Sequence, residues 1–131
     1  MDAQQRGAEA VVDFLANHPG VSSVYYPGLA SHAGYAVHQS QARGGGAVLS
    51  VAVGSPERAK NLAEKTELFR IAVSFGSVNS TISIPVKMSH ASVPADARVA
   101  RAIPEDLVRL SIGIEDPEDL IEDLRNCLDV L

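Results

Sequence analysis

The chain has a single cysteine, no basic run, and no apolar run long enough to cross a membrane. Because Cys127 has no second cysteine to pair with, an internal disulfide framework is excluded and a reducing compartment is expected. The net charge of −5 and the lack of a basic run argue against a nucleic-acid partner. No apolar run approaches the ~20 residues of a membrane span.

The first residues also lack the signals of a targeting segment. Residues 1–7 do not show the charged-then-apolar order of a signal peptide or the Ser- and Arg-rich character of a transit peptide. We therefore expect a protein of the cytoplasm, or of a plastid or other organelle stroma, with no address in these residues.

Metal, phosphate and nucleophile sites have little support in the sequence. The only metal-ligand spacing is a scattered pair, His32 and His38, and the glycines at 44–46 lack the lysine and the strand-to-helix context of a phosphate loop. Cys127 falls on the apolar face of the last predicted helix, where it acts as a small hydrophobe. We expect no metal site and no catalytic residue in this chain. The four histidines are His18, His32, His38 and His90.

What the chain does have is the composition and size of one globular domain, residues 1–131, with 46% hydrophobic and 21% charged residues. Its hydrophobic periodicity predicts the order α-β-β-α-β-β-α, with helices over 2–18, 56–67 and from 117 onward, and strands over 21–26, 47–53, 69–75 and 107–114. A short helix over 36–42, an irregular strand over 78–84 and a helical turn over 95–101 are expected in the connections. This order predicts an α+β fold with a small, mainly antiparallel four-stranded sheet and helices packed on one face.

Helix boundaries give the clearest local signals. Ser55 followed by Pro56 fits the start of one helix, and Asp116 followed by Pro117 fits the start of the last one. The acidic residues there are interpreted as a helix start and its solvated face, not a catalytic pair: Glu115, Asp116, Glu118, Asp119, Glu122 and Asp123. The apolar face of the last helix is expected to hold Leu120, Ile121, Leu124, Cys127, Leu128 and Leu131.

Two predicted strands alternate in character, and the second carries a single arginine at its middle. In residues 69–75, one face is expected to hold Phe69, Ile71, Val73 and Phe75. In the run from 107 to 115, one face holds Val108, Leu110, Ile112 and Ile114, and the other holds Leu107, Arg109, Ser111 and Gly113. A lone guanidinium on a sheet face is costly unless it meets an anion, and its planar fork suits a carboxylate. Arg109 is therefore the first candidate for a ligand-binding residue, with a plain interface ion pair as the alternative.

Four motifs in a fixed order carry a resemblance to a known family. They are Tyr25-Tyr-Pro-Gly-Leu29, Ala72-Val-Ser-Phe-Gly-Ser-Val-Asn-Ser80, Met88-Ser-His-Ala-Ser92 and the run from Leu107 to Asp116. With them the chain resembles the C-terminal domain of the pyridoxal-phosphate enzymes of cysteine and methionine metabolism, the cystathionine synthases and lyases. The second and third motifs look most like those of the cystathionine β-lyases of plants and green algae.

The resemblance implies roles for two residues. The arginine of the last motif binds the substrate α-carboxylate in this family, and it corresponds to Arg109. The serine that closes the second motif lines the same pocket and corresponds to Ser80, for which a purely structural role is the alternative. The preceding position is often Glu in the γ-enzymes and is Asn79 here, which favours a β-lyase. Thr81 replaces the usual Leu.

The resemblance also implies that the cofactor-binding part of the active site lies outside this chain. The family lysine that binds pyridoxal phosphate belongs to a large cofactor domain upstream, and Lys60, Lys65 and Lys87 lack its sequence context. We therefore expect this chain alone to bind no cofactor and to be inactive. In the intact enzyme, the implied reaction is β-elimination of cystathionine to homocysteine, pyruvate and ammonia. The expected partner is a pyridoxal-phosphate domain or subunit, or a further copy of the chain. The alternative is a stand-alone, non-catalytic structural subunit.

Overall fold

The computed structural model, which describes residues 1–101 and 103–130, contains five α-helices and five strands within those residues. In chain order they are α1 (Asp2–Ala16), β1 (Ser23–Tyr25), α2 (Tyr35–Gln41), β2 (Val48–Ala52), α3 (Pro56–Lys65), β3 (Arg70–Ile71), β4 (Thr81–Ser83), α4 (Ala95–Ala100), β5 (Leu107–Ser111) and α5 (Pro117–Leu128). A 3₁₀ turn, Pro85–Lys87, follows β4. The α+β class predicted from the sequence is confirmed.

The strands form one mixed sheet in the order β1-β2-β5-β4-β3. The pairs β1–β2, β2–β5 and β5–β4 are antiparallel, whereas the edge pair β3–β4 is parallel. The prediction of four strands is therefore wrong by one, because residues 81–83 form a regular strand of their own between β5 and β3. Strand β5 lies at the centre of the sheet, between β2 and β4.

One face of the sheet is covered by helices: α1 contacts β1 and β2, α3 contacts β5, and α5 packs against both α1 and α3. Alternation along β2 and β5 sends apolar side chains to this face, where each is at most 1% exposed. These side chains are Leu49, Val51, Val108 and Leu110. The apolar stripes of these helices face the apolar side chains of the strands, and together they form the core.

Both predicted helix starts are confirmed. The hydroxyl of Ser55 accepts a hydrogen bond from the backbone N–H of Arg58 at 3.2 Å, and Asp116 Oδ1 accepts one from Glu118 N at 2.9 Å. On α5, Leu120, Leu124, Cys127 and Leu128 are buried as expected. The predicted role of Leu131 lies outside the described residues.

Two expectations about strand faces are wrong. Strand β3 ends at Ile71, and of the predicted apolar face only Phe69 is buried, whereas Ile71, Val73 and Phe75 are more than half exposed. The chain leaves the sheet after residue 71 and crosses its surface, so the alternation in 72–75 does not mark a strand. At the end of β5, Ile112 is buried but Ile114 is 59% exposed, because the strand ends at Ser111.

Candidate functional site

A row of polar side chains crosses the face of the sheet that the helices leave open. Arg109 lies opposite Ser50 on β2 and opposite Ser83 on β4, and Ser50 in turn lies opposite Tyr25 on β1. Residues that are directly paired in antiparallel strands project to the same face. Arg109 therefore lies at the centre of this row and on the opposite face from the helices, as the alternation of β5 predicts.

The guanidinium of Arg109 is held in place by two contacts with one surface segment. Its Nη2 donates a hydrogen bond to the carbonyl oxygen of Val73 at 2.7 Å, and its Cζ lies 4.9 Å from the centroid of the Phe75 ring. Among residues 1–101 and 103–130, no carboxylate forms an ion pair with Arg109. A guanidinium has five N–H donors, so this one is oriented and retains capacity for an anion.

The segment that holds Arg109 comprises residues 72–80, here called the strap, and it is bound to β5 by hydrogen bonds. Gly76 N donates to the hydroxyl of Ser111 at 3.1 Å, and Ile114 N donates to the carbonyl oxygen of Val78 at 2.9 Å. Gly76 has φ +85°, a left-handed conformation that a residue with a side chain rarely adopts. The second and fourth motifs of the sequence are therefore one unit in space.

The end of the strap is fixed by Glu115. Ser80 N donates to Glu115 Oε1 at 2.7 Å, and the Ser80 hydroxyl donates to Oε2 at 2.9 Å. The same hydroxyl oxygen accepts a hydrogen bond from Gly113 N at 2.9 Å. A Cβ atom at Gly113 would collide with the Val78 carbonyl oxygen and with the Glu115 carboxylate, so the glycine permits this close approach.

This geometry corrects the interpretation of two acidic residues. Glu115 is not part of a solvated face, because both of its carboxylate oxygens accept hydrogen bonds from Ser80. Asp123 is also engaged, since its carboxylate accepts hydrogen bonds from the backbone N–H groups of Glu67 and Leu68. Charge runs alone did not reveal these partners. For Glu115, its fixed place in the fourth motif was the available signal.

The structure brings Ser80 and Arg109 to the two ends of the same strap but gives them different surroundings. Arg109 is partly exposed, whereas Ser80 is fully buried and its hydroxyl already donates one hydrogen bond and accepts another. The sequence reasoning missed Val73 and Phe75, which touch the guanidinium directly. The alternation of 69–75 suggested a strand instead, and no local signal marks the crossing.

The described residues do not fit a complete pyridoxal-phosphate site. Lys60 and Lys65 lie on α3, which packs against the opposite face of the sheet, and Lys60 pairs with Glu64 at 3.8 Å. Lys87 is exposed in the 3₁₀ turn. None of the three is on β5 or the strap, where Arg109 is held. Arg109 therefore has no lysine beside it on β5 or the strap.

Two of the histidines have partners close to them. His18 Nε2 lies 3.1 Å from Asp129 Oδ1, and His38 Nε2 lies 2.8 Å from the carbonyl oxygen of Gly44. Burial raises the pKa of the Cys127 thiol, and the nearby charge of Asp123 acts in the same direction. Within 1–101 and 103–130, no group of three or more potential metal-binding side chains occurs, and no helix is long and apolar enough to cross a membrane.

The first motif has a structural explanation. Tyr26 is 2% exposed, and its hydroxyl donates to the carbonyl oxygen of Gly46 at 2.9 Å. Burial, together with the charge of Glu9, raises the pKa of Tyr26 to about 12. Tyr26 therefore closes the loop between β1 and β2 and belongs to the core, whereas its neighbour Tyr25 lies in the row of side chains that contains Arg109.

Comparisons with known proteins agree with the motifs. The chloroplastic cystathionine β-lyase of Arabidopsis thaliana is 53% identical over 124 residues, which are 95% of this chain and 27% of that protein. The cystathionine γ-lyase of Bacillus subtilis is 42% identical over 129 residues, 98% of this chain and 34% of that protein. The structure of a cystathionine γ-synthase from Xanthomonas oryzae pv. oryzae, in complex with cystathionine, superimposes with a TM-score of 0.94 at 40% identity, and it covers 98% of this chain and 34% of that one.

The chain thus spans between 27% and 34% of the length of these three proteins. The family described as Cys/Met metabolism PLP-dependent enzyme matches residues 1–129. This match covers nearly the whole chain, and the solved γ-synthase shares its fold. The chain belongs to the Cys/Met metabolism family of PLP-dependent enzymes.

Proposed function

We propose that residues 1–131 are the C-terminal domain of a cystathionine β-lyase-like enzyme and that Arg109 binds the α-carboxylate of its substrate. The observation that carries this proposal is the state of Arg109: a guanidinium oriented by Val73 and Phe75 that has no carboxylate partner among the described residues. The Arabidopsis thaliana relative, a cystathionine β-lyase that is 53% identical, supports the reaction class.

In the proposed mechanism, the contribution of this domain is binding and orientation. The α-carboxylate of cystathionine meets the free edge of the Arg109 fork, and the strap keeps that fork from rotating. A fixed carboxylate limits how the neighbouring Cα–H and C–S bonds can lie, which is the orientation that an elimination needs. When bound by the rest of the enzyme, pyridoxal phosphate supplies the electron sink.

The exposed side chains of the strap support a second part of the proposal. Val73, Phe75 and Val78 are 61%, 59% and 60% exposed and lie on the segment that crosses the Arg109 face. Because these side chains are apolar, we infer that the cofactor-binding domain covers them and that the substrate pocket lies between the two domains. Ser80, which is fully buried, would then stabilise the wall of this pocket without lining it.

The test is a chimera in which this chain replaces the matching part of the Arabidopsis cystathionine β-lyase. We expect the chimera, loaded with pyridoxal phosphate, to release pyruvate from cystathionine. The substitution Arg109→Ala should lower kcat/KM about 100-fold, because a charge-assisted, two-point contact with the carboxylate is lost.

The matched control is Arg125→Ala. Arg125 is an exposed arginine on α5 that stacks on Phe14 at 5.1 Å, as Arg109 stacks on Phe75, but it lies among the helices. Its removal should leave kcat/KM within about twofold. A folded, cofactor-loaded chimera without lyase activity, or one in which both arginine variants behave alike, contradicts the proposal.

A further inference from the structure

We propose that Glu115 is a positioning residue for the carboxylate site: by anchoring one end of the strap, it sets the orientation of Arg109 at the other end. This inference rests on the proposed function, because it assigns the purpose of the Glu115 contact to binding of the substrate carboxylate. Glu115 itself does not touch the substrate in this arrangement.

Glu115 binds Ser80 through two hydrogen bonds. The two carboxylate oxygens accept two hydrogen bonds from one residue, from its backbone N–H at 2.7 Å and from its hydroxyl at 2.9 Å. Two bonds to one residue fix its orientation as well as its position, and hydrogen bonds to a charged acceptor are the stronger kind. Ser80 is fully buried, so water does not replace these bonds in the folded protein.

Ser80 cannot shift without breaking further contacts. Its hydroxyl oxygen accepts from Gly113 N at 2.9 Å, and Gly113 is close enough to the strap to exclude a Cβ atom. Its carbonyl oxygen accepts from Arg70 N at 3.0 Å, which connects it to the edge strand β3. The Glu115–Ser80 contact is therefore the fixed point at which the strap re-enters the sheet.

Hydrogen bonds, rather than burial, hold the strap between this fixed point and Arg109. Its apolar side chains at 73, 75 and 78 are all more than half exposed, so packing contributes little to its position. What remains is a set of hydrogen bonds, which includes those to Ser111, Ile114 and Arg109. Gln4 and Thr81 also donate to strap carbonyl oxygens, those of Ser77 and Ser74. Loosening the anchored end thus allows the Val73 carbonyl and the Phe75 ring to move relative to the guanidinium.

The test uses Glu115→Gln in the same chimera, with Glu118→Gln as the matched control. Both changes remove one negative charge near the start of α5, but Glu118 is exposed, and its carboxylate forms no hydrogen bond or ion pair with residues 1–101 or 103–130. Glutamine has one oxygen acceptor where Glu115 uses two, so one of the two bonds from Ser80 is lost. We expect KM for cystathionine to rise about tenfold with kcat changed less than about threefold, because the loss falls on substrate binding.

A second readout does not depend on catalysis. Amide hydrogen exchange across residues 72–80 should become faster in Glu115→Gln and stay unchanged in Glu118→Gln, since only the first variant loosens the strap. Glu115→Asp keeps the charge but shortens the reach, and it should give an intermediate KM and an intermediate exchange rate. The melting temperature of each variant is measured alongside, so that a global loss of structure is recognised.

Three results separate the two proposals. If Arg109→Ala leaves KM unchanged, the proposed function fails, whatever Glu115 does. If Arg109→Ala raises KM while Glu115→Gln matches Glu118→Gln in both KM and exchange, only the role of Glu115 is overturned. A lower melting temperature for Glu115→Gln without a change in KM or in strap exchange also overturns it, because Glu115 then stabilises the fold alone.

Discussion

On one face of the sheet, Leu49, Val51 and Leu110 pack beneath three helices, whereas on the other face Arg109 lies beneath a strap held by hydrogen bonds. Both faces are built from the same strands, and the period of two along β5 alternates between them. The helix face buries its apolar side chains completely. The strap face exposes Val73, Phe75 and Val78 and fixes its polar groups instead. The first arrangement completes the core, and the second leaves an apolar surface around Arg109, as the proposed contact with a cofactor domain requires.

The largest expected effect lies on the helix face. Replacing Leu110, which is fully buried at the centre of the sheet, by alanine should lower the free energy of unfolding by about 2–5 kcal/mol through lost burial and the cavity left behind. Leu68→Ala, at a residue that is 39% exposed, is the control and should cost much less. Denaturant unfolding of both variants measures the difference, and equal costs would contradict the stabilising role given to burial on the helix face.

The next effect also belongs to the core and depends on pH. The pKa of Tyr26 is raised from 10.0 to about 12 in the folded protein. Between these values the folded state keeps the phenol proton and the unfolded chain loses it, so stability should fall as the pH rises from about 10 to about 12.

The Tyr26→Phe variant isolates this contribution from other groups that titrate there. At neutral pH it should lose about 0.5–1.5 kcal/mol, because the hydrogen bond to Gly46 is absent. Its stability should then decline less steeply than that of the parent protein above pH 10. If the stabilities of the two proteins decline equally above pH 10, the phenol of Tyr26 does not have the raised pKa given above.

The smallest expected effect on stability lies on the strap face, and it distinguishes the two faces of the sheet most clearly. Phe75→Ser removes an exposed ring, so the free energy of unfolding of the chain should stay within about 0.5 kcal/mol. In the chimera, the same change should lower kcat/KM about two- to fivefold, because the guanidinium loses its stacking partner. A large loss of stability with unchanged kinetics would assign Phe75 to the fold instead of the site.

The parts of the fold that the sequence predicted are those governed by local rules. Ser55 and Asp116 mark helix starts because their side chains bind the free N–H groups of the first turn. The face of Arg109 follows from strand alternation alone, since Val108 and Leu110 on either side of it must point to the core.

The parts that were missed depend on contacts between distant residues. The parallel pairing of β3 with β4 is not encoded in either segment, and the alternation of 72–75 fits a strand as well as it fits a surface strap. In the sequence, Glu115 is one of several acidic residues close together. Its binding partner, Ser80, lies 35 positions earlier in the chain. Long-range hydrogen bonds of this kind leave no periodic signal in the chain.

The most direct test of the central claim is a crystal structure of the chimera with a bound amino acid that the enzyme does not turn over. The account predicts the α-carboxylate at about 2.7–2.9 Å from the guanidinium of Arg109, with the Val73 carbonyl and Phe75 ring still in contact with it. A carboxylate bound elsewhere, or an Arg109 already paired with an acidic side chain of the cofactor domain, would contradict it.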